Sequence, residues 1–181
     1  RDYKVTGVQT CALPISGMGR ILLARDTKGA GVADQVIEYA KVESPRGGHF
    51  VGGVLYLVHP PFLSKFQDKD GDGKADYNTE RTLLVDGLGG GIEHPRGADH
   101  TTNGCRMGID GWLYIAVGDF GAGLLRDNAG AIGLGDQKRV TLYGGGVMRV
   151  RPDGSELEVY TEMTRNICDI RLAAADARGA L

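Results

Sequence analysis

A nine-residue loop pattern occurs twice in this chain, and it narrows the folds open to it. DTKGAGVAD at 26–34 and DKDGDGKAD at 68–76 share both outer aspartates, both glycines and the alanine. Each copy follows an apolar run, GRILLAR or GVLYLVHPPFLSKF, and precedes a strand-like run, VIEYAKV or RTLLVDGL. Pro-Arg-Gly comes next, at 45–47 and again at 95–97, and WLYIAVGD at 112–119 echoes VLYLVHP at 54–60. A recurring order of this kind marks supersecondary units that cannot bury an apolar face alone and must stack on their neighbours. The units are short apolar runs punctuated by Gly, Asp and Pro, which suits strands and turns rather than helices.

The pattern predicts strands over 20–25, 36–40, 54–58, 82–85, 106–109, 113–117, 146–151 and 157–160. Asp110-Gly111 and Asp153-Gly154 sit between apolar runs, where a tight turn calls for positive φ. The expected fold is all-β. A β-sandwich would also supply short strands, but the repeated order of turn, strand and Pro-Arg-Gly favours an incomplete β-propeller of about three blades. With 30 glycines in 181 residues, tight turns are plentiful. Basic and acidic side chains nearly balance, 21 against 23, so nothing in the charge attracts nucleic acid. No stretch has the apolar length of a membrane span. Cys105 and Cys168 lack zinc or haem spacing, and whether they pair is left open.

Three segments are expected. Val5 to Ser16, VTGVQTCALPIS, resembles a translated sequencing adapter, so 1–16 is read as foreign to the fold. Residues 17–170 form the partial propeller. Residues 171–181, RLAAADARGAL, lose the strand alternation and read as a frame-shifted or truncated tail.

The second copy of the repeat has the composition of a calcium loop. Calcium takes six to eight oxygens, and alternating aspartates around a glycine supply them. Asp68, Asp70 and Asp72 fall at loop positions one, three and five, Gly73 at the sharp-turn position six, and Asp76 at nine. Lys74 would contribute its backbone carbonyl. Thr79 stands at position twelve, where an EF-hand carries a bidentate acid, with Glu80 one residue later. The flanks are strands, so the expected site is a structural calcium turn in a β-protein. In the first copy Lys28 and Ala30 replace two of the aspartates, and that copy is expected to be metal-free. The competing reading is a solvated Asp/Gly hairpin, although four carboxylates crowded together repel one another without a cation.

His94 to Asp119 is the densest polar stretch. Here His100 beside Asp99 has the composition of an oriented general base, while the plainer reading makes His94 and His100 turn caps. Asp99-His100, Gly104-Cys105-Arg106-Met107, Asp110-Gly111-Trp112-Leu113-Tyr114 and Gly118-Asp119 resemble the signature around the catalytic histidine of the PQQ-dependent soluble glucose and sorbosone (aldose sugar) dehydrogenases. Those enzymes are six-bladed β-propellers. Gly145 to Val150, Asp153-Gly154-Ser155 and Thr164-Arg165-Asn166 are similar to the family's next blade. The resemblance implies that His100 takes the substrate hydroxyl proton, Asp99 supports it, and Arg165 and Asn166 contact the quinone PQQ, with hydride passing to a cofactor carbonyl carbon.

LGGGIEHPRGADHTTNG is similar to a narrower group, large exported bacterial proteins known as membrane-bound dehydrogenases, in which the propeller precedes a haem-binding cytochrome c module. That resemblance implies a periplasmic or exported protein, a sugar or alcohol substrate and a cytochrome c partner. One extra residue between His100 and Gly104 departs from the sugar dehydrogenases, and the lysine and arginines that they draw from later blades have no counterpart here. The fragment alone is therefore expected to be inactive. A non-catalytic propeller that binds carbohydrate or protein is the alternative.

Overall fold

In a computed structural model of the chain, residues 18–89, 100, 102–125, 140–164, 167 and 170 are described. Twelve strands and no helix occur among them, so the described part of the chain is all-β. Strands β1 (Met18–Arg25) and β2 (Gln35–Glu43) form an antiparallel pair. Strands β3 (Gly47–Val51), β4 (Val54–His59), β5 (Phe62–Gln67) and β6 (Arg81–Asp86) form a four-stranded antiparallel meander. A second meander contains β7 (Thr102–Met107), β8 (Leu113–Val117), β11 (Gly145–Val150) and β12 (Glu158–Thr164). Between β8 and β11 the chain makes a small pair of its own, β9 (Ala122–Leu125) with β10 (Val140–Leu142).

Burial explains why these runs are strands. Every residue of β4 from Leu55 to His59 is buried, although a sheet with one wet face would alternate. The reason is that the sheet is covered on both sides. Leu55, Leu57 and Phe66 pack with Ile21, Leu23, Tyr39 and Val42 of the first pair. Tyr56, Val58, Leu63 and Leu84, from the same sheet, pack instead with Leu113, Ile115, Val117, Met148 and Val150 of the second meander. Three sheets thus stack face to face in chain order, each aliphatic side chain so buried contributing about 1.5–3 kcal/mol.

The first strands of the two meanders touch where neither has a side chain. A Cβ on Gly47 would lie 2.9 Å from the Asn103 carbonyl oxygen and 3.0 Å from the Gly104 Cα. Arg106 Nη1 crosses the same contact and donates to the Gly48 carbonyl at 2.6 Å.

The strand expected at 106–109 runs instead from Thr102 to Met107. Gly108 N–H donates to the Trp112 carbonyl at 2.7 Å, and Asp110 accepts both Trp112 N–H at 3.2 Å and the Tyr114 hydroxyl at 2.6 Å. Those bonds close the turn around Ile109, which is left 89 % exposed. Gly111 and Gly154 have φ of 78° and 91°, as their turns require. Strands β3, β5, β9 and β10 have no counterpart among the expected strands. Segments 1–16 and 171–181 lie outside the described residues.

His59 is the one buried imidazole of the stack among the described residues, 2 % exposed. Arg81 Nε donates to Ser64 Oγ at 3.1 Å, which frees the serine proton for His59 Nε2 at 2.8 Å. Burial first, and the Arg81 charge second, push the imidazole from 6.5 down to about 3. The folded chain therefore keeps His59 neutral where the unfolded chain would protonate it. Its contribution is complete above 6.5 and is lost as pH falls from there towards about 3. In urea unfolding between about pH 6 and pH 4, the protein should lose about 1.4 kcal/mol per pH unit relative to its His59→Gln variant. Parallel stability curves for the two would contradict a neutral His59.

Candidate functional site

Two loops hold the described site residues that the sequence singled out. The first joins β5 to β6 and contains the acidic copy of the repeat. Its carboxylates fold it by accepting backbone N–H groups, as short aspartate turns do. Asp68 accepts from Gly71 at 2.7 Å and Gly73 at 2.9 Å, Asp70 from Asp72 at 3.1 Å, and Asp72 from Lys74 at 2.7 Å. Glu80, 7 % exposed, spans the loop's mouth, with Oε1 accepting Lys69 N–H at 2.6 Å and Oε2 accepting Asp76 N–H at 2.9 Å. These backbone donors hold the Glu80 carboxyl below its ordinary value.

Carboxylate oxygens of Asp68, Asp70 and Glu80 lie within 4.8 Å of one another. The remaining expected ligands take part in local hydrogen bonds of the loop. Asp72 faces Lys74 N–H, and Asp76 caps the next turn through Asn78 N–H at 2.8 Å and Thr79 N–H at 3.0 Å, which holds its own carboxyl low. Lys74 enters this network as the donor to Asp72. The acid brought to the cluster is thus Glu80, one residue beyond loop position twelve. Its signal was present as an acid at the strand entrance.

The non-acidic copy between β1 and β2 uses the same outer aspartates. Asp26 accepts Ala30 N–H at 3.0 Å and Gly31 N–H at 2.7 Å, and Asp34 accepts Thr27 N–H at 2.8 Å. The shared residues of the repeat therefore serve turn geometry in both copies. Only the second loop also reaches the neighbouring sheet, where Ala75 N–H donates to the Tyr39 carbonyl at 2.7 Å. A cleft of about 490 Å³ lies beside that contact, lined by Glu38, Lys41, Asp70, Asn78 and Glu80 among others.

The second loop surrounds His100. Its Nδ1 lies 2.5 Å from Asp119 Oδ1, with the two side chains 46 % and 38 % exposed. The ring stacks on Phe120 at 5.1 Å between centroids and 24° between planes, and the His100 carbonyl accepts Phe120 N–H at 3.2 Å. Asp119 and Phe120 sit on a turn closed by Gly121 N–H to the Gly118 carbonyl at 3.0 Å. Gly121 has φ of 70° and abuts the Leu142 carbonyl, so no side chain fits there. Asp99, expected to support His100, lies outside the described residues, as do Arg165 and Asn166. Among the described residues, Asp119 is the carboxylate that engages the imidazole, and its position just after the buried strand β8 is where loops commonly place working groups.

The sequence from 1 to 177 matches the family described as Domain of unknown function (DUF7133). The chain belongs to that family. No curated protein and no solved structure matches it. Among the described residues of this DUF7133 member, no helix is long and apolar enough to cross a membrane. Cys105 is a free thiol in the core, and burial pushes it up to about 12, which leaves it unreactive at neutral pH.

Glu80→Gln tests the staple across the acidic loop. An amide offers one acceptor oxygen in place of two, so one of the Lys69 and Asp76 N–H groups should lose its partner, and hydrogen exchange at that amide should speed up by about tenfold. Unchanged exchange at both amides would show that Glu80 does not close the loop.

Proposed function

We propose that the chain forms part of a β-propeller of the quinone-dependent sugar or alcohol dehydrogenase type, in which His100 accepts the substrate hydroxyl proton. The observation that carries this reading is the His100 Nδ1 to Asp119 Oδ1 contact of 2.5 Å. A carboxylate on Nδ1 orients the imidazole, offsets the charge that it gains with a proton, and leaves Nε2 as the nitrogen for substrate. Sheets stacked face to face in chain order, with first strands meeting at Gly47 and Gly104, support the ring architecture.

By resemblance, the hydride acceptor would be PQQ, and a cytochrome c module or partner would take the electrons of an exported or periplasmic protein. Of the side chains assigned to proton and quinone chemistry, the described residues include His100 alone. They do not by themselves make a quinone site. What they supply is the proton acceptor and its carboxylate.

The deciding experiment reconstitutes the full-length protein with PQQ and calcium and follows dye reduction across a panel of sugars and alcohols. Activity is expected, with His100→Ala lowering it by about 10²–10⁴-fold. A silent panel without PQQ binding would sink the dehydrogenase reading.

A second reading has its own observation. Around one calcium, oxygens at about 2.3–2.6 Å from the ion lie up to about 5 Å apart. The Asp68, Asp70 and Glu80 oxygens, within 4.8 Å of one another, fit that spacing, and their backbone hydrogen bonds leave further lone pairs available. Calcium held there would brace the loop that bonds to Tyr39 on the adjacent sheet, making the domain a calcium-stabilised carbohydrate- or protein-binding module. At a calcium concentration about a hundredfold above Kd, the melting temperature should rise by about 5–10 °C, and Asp70→Ala should remove the rise. The metal reading fails if calcium leaves the melting curve of the unaltered protein in place.

A further inference from the structure

We propose that Phe120 is the positioning residue of the His100–Asp119 pair, holding the imidazole in the orientation that places Nδ1–H on the carboxylate and aims the Nε2 lone pair outward. The inference rests on the reading of His100 as proton acceptor. An ion pair or hydrogen bond as exposed as this one, at 46 % and 38 %, competes with water and sets geometry poorly by itself. One contact to Nδ1 also leaves the ring free to swing about that contact. The stacked Phe120 ring, 5.1 Å away and 24° from parallel, removes the swing and excludes water from one face of the imidazole.

The backbone contributes as well. Phe120 N–H donates to the His100 carbonyl at 3.2 Å, which ties the histidine's main chain to the turn that carries its carboxylate. Asp119 and Phe120 are adjacent on the turn closed by Gly118 and Gly121, so carboxylate and ring move as one unit. A free neutral imidazole can carry its proton on either nitrogen, and a flipped or swung ring would present the wrong one. Phe120 thus acts on the proton transfer through His100 without touching substrate.

The test reads the tautomer of His100 directly, by long-range ¹⁵N–¹H spectra of the full chain. Wild type is expected to show the Nδ1–H form. Phe120→Leu and Phe120→Met keep apolar bulk without the ring, and should shift the tautomer ratio towards Nε2–H by about three- to tenfold, the equivalent of one aromatic contact. Phe120→Tyr should retain the wild-type ratio. If the Leu and Met variants keep that ratio while Asp119→Asn changes it, Phe120 has no positioning role and the proton-acceptor reading stands. Should Asp119→Asn also leave the ratio unchanged, the pair itself fails and the proposal with it. Loss of the fold in both ring-free variants would likewise overturn the proposal, since Phe120 would then be a packing residue.

Discussion

The structure depends on covering both faces of β4. A strand reading Val-Leu-Tyr-Leu-Val-His carries apolar groups on each side of its sheet, and exposing either row to water would cost most of the stability of a small domain. Tyr56 and Val58 therefore require one neighbouring sheet while Leu55 and Leu57 require another. Stacking follows from that demand, and the stack in turn fixes which turns face the same way. Close approach of the first strands adds a second constraint, because the Gly47 backbone meets that of Asn103 and Gly104 where a side chain on Gly47 would hold the meanders apart.

Loops leaving such a stack are anchored at both ends by buried strands. The acidic loop is organised by its own backbone, with each carboxylate engaged by N–H groups. Those bonds offset part of the mutual repulsion of the aspartates, and they aim Asp68, Asp70 and Glu80 at a common point. The same loop bonds to Tyr39 of the preceding sheet, so its order and the packing of two sheets are coupled. A cation bound there would act on both at once.

The histidine loop works differently. His100 and Asp119 are partly exposed, but Asp119 follows β8, whose five residues are all buried, so the carboxylate stands just beyond a strand fixed in the core. The buried pair His59 and Ser64 is the contrasting case. There the imidazole is held neutral inside the core, and its role is packing and hydrogen-bond satisfaction rather than exchange of protons with solvent.

The repeat, the all-β character and most strand centres were legible in the sequence, because alternation, apolar runs and Asp-Gly turns are local signals. β8 was expected at 113–117 and stands there, and the two hairpin glycines have the positive φ that their turns demand. Less was legible where a tertiary neighbour decides. Strand β3, Gly-Gly-His-Phe-Val, opens on two glycines that weaken the strand signal, and β4 pairs with it while β7 packs beside it. The strand at 102–107 is displaced from its expected place because Asp110 captures Trp112 and Tyr114 and draws Ile109 into the turn. Partner choice lay equally beyond the sequence. Spacing along the chain made Thr79 the twelfth loop position, and it gave no sign that Asp119 would lie beside His100. Folding brought Asp119, nineteen residues from His100, onto its Nδ1, and set Glu80 across the acidic loop. By itself, then, the sequence determined the kinds of elements, their order and the residue types available for chemistry. Only the tertiary structure decided which carboxylate meets which partner, since that depends on how strands distant along the chain come to lie side by side.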